Sequence, residues 1–173
     1  DPQFISWFRV NKNRITEIPE MFKRKMFDIQ AKLGFRQLWT IDSSNAQRRV
    51  NLKYFNKALS GIDGIKTPLD PDDREHVCVH YVIWSGKKRE MQEYLLHNNI
   101  DAQDESAQDV TQMEQFEKFA TKPYPNAAKL ENCLCYLPAH PCLSQADLAY
   151  ISGKINTFFN VGSTSNSESS PVK

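Results

Sequence analysis

Four residues in the last quarter of the chain are of the types that serve as zinc ligands. Cys133, Cys135, His140 and Cys142 lie within ten residues, and thiolate sulfur and imidazole nitrogen are common zinc ligands. Zinc knuckles separate paired cysteines by two residues on a turn, whereas Cys133 and Cys135 flank one residue of a predicted strand. Alternate strand residues share a face of the sheet. We therefore expect both thiols to be core side chains, with a zinc-binding module as the least favoured alternative.

A pair of histidines and an acidic segment also contain side chains of metal-binding types. His76 and His80 would share one face of a predicted strand, but no carboxylate lies at a spacing that would complete a metal site. The acidic segment follows no recognised metal or acid–base spacing, so we expect a solvated loop. Its carboxylates are Asp101, Asp104, Glu105 and Asp109. The sequence also has no nucleophile elbow, Walker loop, dinucleotide glycine fingerprint or zinc-protease histidine pair.

Three consecutive basic residues, Lys23, Arg24 and Lys25, precede a predicted helix. The first N–H groups of a helix have no partner within the helix, and basic side chains beside them make a place for a phosphate. We expect a solvated basic flank, with an anion site as the functional alternative.

Composition argues against several classes of protein. The 173 residues are 40% hydrophobic and 25% charged, which suits one domain with a buried core. The net charge of +1 lacks the basic excess of a nucleic-acid or membrane-surface binder, so we expect neither partner. No apolar run approaches the roughly 18 residues of a membrane span. Four unevenly spaced cysteines favour reduced thiols and a cytoplasmic location over a disulfide scaffold.

The hydrophobic pattern predicts an α+β domain, in which a small sheet is covered by helices and a long helix forms one side. The predicted helices are 26–39, one from the capping residues at 40–45 to about 59, 87–98, a short helix opening at 125, and 145–159; the predicted strands are 76–84, 100–102 and 133–137. Ser144 is expected to cap the last helix, and Asn98-Asn99 can end the helix 87–98 in a left-handed conformation. The expected buried helix positions are Met26, Ile29, Leu33, Leu38, Ile41, Val50, Leu52, Phe55, Leu59, Met91, Tyr94, Leu95, Leu148, Ile151, Ile155 and Phe159.

Three parts are expected along the chain. Residues 1–20 form an N-terminal arm, residues 21–160 form the domain, and residues 161–173 form a disordered Ser-rich tail. The chain begins at Asp1 rather than at methionine, so we expect a fragment of a longer protein.

Three segments follow a known family pattern in order. The first segment contains the methionine, Gln-Ala, glycine, Gln-Leu, aspartate, paired arginines and tyrosine of that pattern, in the sequence MFDIQAKLGFRQLWTIDSSNAQRRVNLKYFNKAL. REMQEYLLHNNI is similar to a helix that runs into Gly-Ile, and LPAHPCLSQADLAYISGKI to a closing Leu-Pro-x-His-Pro-x-Leu-Ser with a final helix. Together they cover about residues 20–160 and resemble the C-terminal part of the DegT–StrS family of sugar aminotransferases, which depend on pyridoxal phosphate (PLP).

The resemblance implies the small C-terminal α+β domain of a fold-type-I enzyme. Such enzymes are homodimers, with the Schiff-base lysine on a large domain and active sites at the subunit interface. The implied substrate is a nucleotide-linked keto-sugar, with glutamate or glutamine as amino donor and PLP as cofactor. In this family the helix that contains Gly34 packs in the body of the protein, so we expect a neighbouring backbone in contact with that glycine, which otherwise costs about 1 kcal/mol relative to alanine.

The family's functional residues are altered or absent. The family's Gly-Tyr-Asn-Tyr-Arg, whose asparagine reaches the partner's cofactor phosphate, aligns with MFKRK at 21–25, so Lys23 stands in the place of that asparagine as a candidate phosphate ligand. The family's Schiff-base lysine lies in a Ser-x-x-Lys context that is followed by glycines, and no such context exists here. No catalytic residue is therefore assigned, and this chain alone should not transaminate. One alternative is a degenerate, non-catalytic interaction module. Another is a PLP-dependent sugar dehydratase, which uses a histidine in place of the lysine.

Overall fold

The computed structural model describes residues 20–102, 107, 109–112 and 114–164. The predicted arm, apart from Glu20, lies outside these residues, as do Asp104, Glu105 and residues 165–173 of the predicted tail. No helix in the described ranges is both long enough and apolar enough to cross a membrane.

The described elements alternate helices with three short strands. The helices are α1 (Asp28–Leu38), α2 (Ile41–Leu59), α3 (Lys88–His97), α4 (Pro125–Cys133) and α5 (Gln145–Thr164), and the strands are β1 (Ile65–Lys66), β2 (His80–Ser85) and β3 (Leu134–Pro138). Short 3-10 turns occupy Glu20–Lys23, Val110–Gln112 and Glu114–Phe119. The predicted α+β class is confirmed, and α5 continues past its predicted end at 159.

The sheet is antiparallel, in the order β1-β2-β3, with β2 in the centre. Along β2, Tyr81 and Ile83 are fully buried, and along β3, Cys135 and Leu137 are fully buried. These residues share one face because side chains alternate across a strand. The core therefore lies between that single face and the helices.

The three longest core helices present their apolar stripes to this face. In α2 the stripe is Leu52, Phe55 and Leu59, whereas Val50 is 49% exposed, so its predicted burial is wrong. Val50 precedes Leu52 by two residues, which places it on a different side of the helix. The predicted inward residues of α5 and α3 are buried with one exception, Tyr94, which is half-buried and packs on Phe158. The buried ones are Leu148, Ile151, Ile155, Phe159, Met91 and Leu95.

One strand prediction is wrong, and one strand was missed. Residues 100–102 form no strand. Ile100 and Ala102 are apolar because they are buried in the core, and that apolar spacing was mistaken for the alternation of a strand. Strand β1 was not predicted because two residues are too few to show a period.

Two residues with positive φ mark places where the chain changes direction. Asn99 has φ 57° and ends α3 in the predicted left-handed conformation, while at Gly64, with φ 90°, a Cβ would lie 3.0 Å from the Phe159 ring.

We expect Phe55→Ala to be strongly destabilising, because Phe55 is fully buried and its ring lies 5.0 Å from that of Tyr81. The free energy of unfolding should fall by about 3–5 kcal/mol, as measured by urea denaturation. Val50→Ala on the same helix is the matched control and should change it by less than about 0.5 kcal/mol. Equal effects of the two substitutions would contradict this assignment of the core.

The predicted cap of the last helix is confirmed. Ser144 Oγ accepts a hydrogen bond from the backbone N–H of Asp147 at 3.2 Å, and Asp147 Oδ2 accepts one from the backbone N–H of Ser144 at 2.8 Å. Each side chain thus satisfies a donor that the helix leaves unpaired. The Ser144 hydroxyl also donates a hydrogen bond to Asp147 Oδ2 at 2.7 Å. This bond, followed by the one from the Ser144 backbone N–H, holds the pKa of Asp147 below its ordinary value of 3.8.

Because the folded-state pKa of Asp147 is depressed, its charge stabilises the fold above the ordinary pKa of 3.8, and this contribution is lost as the pH falls through the folded-state value. Asp147→Asn should therefore reduce the loss of melting temperature on acidification below about pH 4. Thermal melts of both proteins between pH 7 and pH 2 measure the difference. A variant with the same acid slope as the original would contradict the role of this carboxylate.

Candidate functional site

The basic segment lies at the surface, next to a carboxylate. Lys23 ends the 3-10 turn Glu20–Lys23, and its ammonium pairs with the Glu20 carboxylate at 2.5 Å. Both side chains are more than half exposed, so the pair contributes at most about 1 kcal/mol. An anion at Lys23 would therefore compete with a weakly held carboxylate.

The N-terminus of α1 follows the basic segment and has no side-chain cap. Phe27 is the N-cap residue, and its backbone N–H donates to Gln30 Oε1 at 3.0 Å. The N–H groups of the first turn lack helical partners, which suits an anion. Asp28 in that turn repels one. The candidate anion site thus has donors and cations, together with two carboxylates that oppose it.

The apolar residues of α1 that were expected to be buried are exposed. None of its residues is buried, and a Cβ at Gly34 would meet no atom within 4 Å, so the expected backbone neighbour is absent from the described part of the chain. We define the α1 surface as the exposed large apolar side chains on and beside this helix. They are Met26, Phe27, Ile29, Leu33, Phe35, Leu38, Trp39 and Ile41, and their exposed fractions range from 45% to 76%.

The structure separates the cysteines and histidine of the possible zinc site. Cys133 ends α4 and is half-buried, Cys135 is fully buried in β3, and Cys142 is exposed in the following turn. The prediction that Cys133 and Cys135 share a sheet face is wrong, because the strand begins one residue after Cys133. His140 is exposed, and its backbone carbonyl accepts a hydrogen bond from buried Asn51 at 2.8 Å.

The histidine pair is also separated. Strand β2 begins at His80, so His76 lies before the strand and the two do not share a sheet face as predicted. His76 Nδ1 lies 3.8 Å from the Cys78 thiol, and burial raises the pKa of that thiol. The His80 ring meets the edge of Tyr136. Within the described ranges, no three His, Cys, Asp or Glu side chains are grouped closely enough to hold a metal ion.

A buried polar cluster was missed by the sequence analysis. Asp109 is 4% exposed, so the prediction of a solvated loop is wrong for this residue, whereas Asp101 is exposed as expected. The Asp109 backbone N–H donates to Glu131 Oε2 at 3.1 Å, and its carboxylate accepts from the Thr111 hydroxyl at 2.6 Å. The Asp-x-Thr spacing is the local signal that could have predicted this turn.

Lys88 connects the same cluster to α3. Its side chain is 5% exposed, and its ammonium donates to the Glu131 carbonyl oxygen at 2.6 Å. A buried charge is stable only when its donors are satisfied. The cluster therefore ties the segment after α3 to α4, and its geometry is that of a structural contact.

Comparison with known proteins places this fold. A sequence model of the DegT/DnrJ/EryC1/StrS aminotransferase family matches residues 9–156. The chain belongs to this family. Family members are PLP-dependent, and the resemblance inferred from the three sequence segments is confirmed. A curated relative, the spore coat polysaccharide biosynthesis protein SpsC of Bacillus subtilis (strain 168), is 34% identical over 68 residues, which are 39% of this chain and 18% of SpsC.

Solved structures share the fold at lower identity. A family aminotransferase from Brucella abortus superposes with a TM-score of 0.70 at 23% identity, covering 76% of this chain and 35% of its own. Helicobacter pylori PseC, an aminotransferase involved in the biosynthesis of pseudoaminic acid, superposes with a TM-score of 0.70 at 19% identity. The match covers 79% of this chain and 38% of PseC. S. venezuelae DesV, solved with a ketimine intermediate, superposes with a TM-score of 0.71 at 19% identity. The match covers 78% of this chain and 37% of DesV. This chain thus spans a little over a third of these solved relatives.

The described residues do not form a site that fits PLP. A Schiff-base lysine is activated in a desolvated pocket with its amine free to react. Lys88 is the buried lysine of the described residues, but its ammonium donates to a backbone carbonyl. Lys23 offers a positive charge to a phosphate, without the enclosed surroundings of a cofactor site. No catalytic step is therefore assigned to this chain's residues.

We expect the isolated chain to form no specific Schiff base with PLP. After incubation with PLP and reduction by borohydride, peptide mapping should find only low, non-saturable labelling spread over exposed lysines. Lys88→Met is the matched variant and should give the same labelling. A saturable absorbance band fixed to a single lysine, and lost in that variant if the lysine is Lys88, would contradict the absence of a Schiff-base site.

Proposed function

We propose that this chain is the small C-terminal domain of a PLP-dependent aminotransferase that transfers an amino group from glutamate or glutamine to a nucleotide-linked keto-sugar. The observation that carries this proposal is the family match across residues 9–156, joined to an α+β fold that superposes on solved family members. The sugar part of the proposal draws support from relatives named for polysaccharide and pseudoaminic acid biosynthesis.

In the proposed enzyme the complete protein is a cytoplasmic homodimer. A large lobe provides the Schiff-base lysine, and PLP when bound acts as the electron sink of transamination. The role of this chain is structural support of that lobe, together with one phosphate contact. Lys23, at the position of the family's asparagine, binds the cofactor phosphate of the partner subunit by charge.

The complete gene product tests this function directly. Purified with PLP and supplied with a nucleotide-linked keto-sugar and glutamate or glutamine, it should release an amino-sugar nucleotide and the 2-oxo acid of the donor. Any coding sequence ahead of Asp1 should place a lysine in the Ser-x-x-Lys context. A histidine in that place and dehydrated product would support a sugar dehydratase instead.

The second candidate is a non-catalytic interaction module. The pairing of Lys23 with Glu20 favours it, because that carboxylate opposes phosphate binding. In this case the complete gene product would have neither the lysine nor the histidine, would bind no PLP, and would leave both amino donor and keto-sugar unchanged. Each candidate thus predicts a different combination of sequence and product.

The phosphate role of Lys23 makes a separate prediction for the complete gene product. Lys23→Ala should raise the dissociation constant of PLP by about 10- to 150-fold, since a hydrogen bond to a charged group contributes roughly 1.5–3 kcal/mol. Glu20→Gln is the matched control and should leave the constant unchanged or lower it, because it frees the ammonium. Fluorescence titration of the apoprotein measures both. An unchanged constant in Lys23→Ala would remove this residue from the site while leaving the aminotransferase proposal intact.

A further inference from the structure

The second face of the sheet, opposite the core, carries apolar and aromatic side chains. We define the outer sheet face by six residues that alternate with the inward-facing ones, none of which is buried. They are Lys66, His80, Val82, Trp84, Leu134 and Tyr136. An antiparallel sheet with one covered face usually carries polar residues on the other. The outer sheet face departs from that pattern, which makes it a candidate binding surface.

The aromatic side chains of the outer sheet face are neighbours across the strands. Trp84 lies opposite Leu134, two residues before Tyr136, and residues in such diagonal positions are about 7–8 Å apart, within reach of large rings. The His80 ring meets the Tyr136 ring edge-on, with the ring centroids 6.0 Å apart. Trp84, Tyr136 and His80 therefore form one aromatic platform.

The charge beside this platform is positive. Lys66 is exposed and lies directly opposite Trp84, and its Nζ lies 5.1 Å from the centroid of the Trp84 ring. Within the described ranges Lys66 pairs with no carboxylate, and none of the six residues of the outer sheet face is acidic. A nucleobase stacks on an aromatic ring at least as strongly as an exposed ammonium does. A base can therefore displace Lys66 from the ring and leave its ammonium available to an attached anion.

We propose that the outer sheet face binds a nucleoside diphosphate, with the base stacked on Trp84 and the diphosphate paired with Lys66. This inference rests on the proposed function, because the nucleotide is the part of a nucleotide-linked keto-sugar that joins an aromatic ring to a negative charge. Stacking accepts different bases, since every base has a π face. The outer sheet face thus selects nucleotides as a class, and the rings of Tyr136 and His80 continue the platform beyond the base.

A protein layer fits the outer sheet face less well. Another polypeptide packed on it would bury the Lys66 ammonium, and a buried charge requires a partner. A second copy of the same face brings no carboxylate to that ammonium. Single-stranded nucleic acid is bound by positively charged grooves that follow its backbone, whereas this face has a single lysine. A nucleoside diphosphate supplies one ring and one anionic group together.

Titration of the 173-residue chain, followed by nuclear magnetic resonance, tests the site. The chain has three tryptophans, Trp7, Trp39 and Trp84, so the indole N–H signals report on three separate places. UDP, dTDP or GDP should shift the Trp84 signal saturably, with a dissociation constant on the order of 1 mM, as one stacked base and one ion pair allow. UDP-glucose should act as UDP does, uridine should bind more weakly, and pyrophosphate should leave the signal unchanged.

Substitutions assign the two contacts, with binding followed on the ligand's own signals. Trp84→Leu should weaken UDP binding at least about fivefold, and Trp84→Phe, which keeps a ring, should retain most of it. Lys66→Ala should weaken UDP several-fold and leave uridine unchanged. The matched controls Trp39→Leu and Lys57→Ala alter an exposed ring and an exposed lysine elsewhere and should change neither. Circular dichroism melts establish that each variant is folded.

Several results would overturn the proposal. They are the absence of a saturable Trp84 shift at millimolar nucleotide, an equal response to pyrophosphate, and equal losses of binding in Trp84→Leu and Trp39→Leu. Much tighter binding of a single-stranded oligonucleotide than of UDP would also overturn it, because the outer sheet face would then be a nucleic-acid surface.

The complete gene product separates this proposal from the proposed function. There Trp84→Leu should raise the KM for the nucleotide-linked keto-sugar several-fold, with little change in kcat or in the KM for the amino donor. An active enzyme whose sugar KM is unchanged in this variant contradicts the nucleotide site alone. A protein that binds UDP at Trp84 and performs no transamination contradicts the aminotransferase alone.

Discussion

The fold depends on the burial of one face of a three-stranded sheet beneath α2, α3 and α5. Its centre is the contact between Phe55 and Tyr81, whose rings lie 5.0 Å apart. The Tyr81 hydroxyl donates to Asn56 Oδ1 at 2.6 Å, so the polar end of a buried ring is satisfied. Burial raises the pKa of this phenol, which therefore stays a neutral donor. The helix that carries Phe55 also carries Asn51, which fixes the turn after β3.

This core is complete without α1. Its members come from α2 onward, and the helix before it contributes no buried residue. The same polypeptide thus contains a domain with an apolar core of its own and a preceding helix whose large apolar side chains are exposed. Such a difference in environment between adjacent helices is the physical basis for the proposal that a second lobe belongs with this domain.

Much of the fold could be predicted from the sequence because periodicity is read locally. The stripes of α2, α3 and α5 appear as spacings of three and four residues, and the Ser144 cap and Asn99 stop depend on residues adjacent in the chain. The predictions that failed depend on distant contacts. Val50 and Ile100 are both apolar, and only the packing of other elements decides that one is exposed and the other buried.

The candidate site was less predictable, for a related reason. Apolar spacing in α1 indicated burial, and spacing alone does not reveal which part of a protein does the burying. The Asp109 cluster depends on Glu131, more than twenty residues away, so charge density in the segment gave the wrong environment. Lys23 could be selected by type and position, whereas its pairing with Glu20 required the turn that places the two side chains together.

A structure of the complete gene product with PLP bound tests the central claim most directly. The account predicts that α2 to α5 keep the arrangement described above as a minor lobe, and that the lysine joined to PLP lies outside residues 20–164. A Schiff base on a lysine within those residues, or a different topology for this segment, would contradict it.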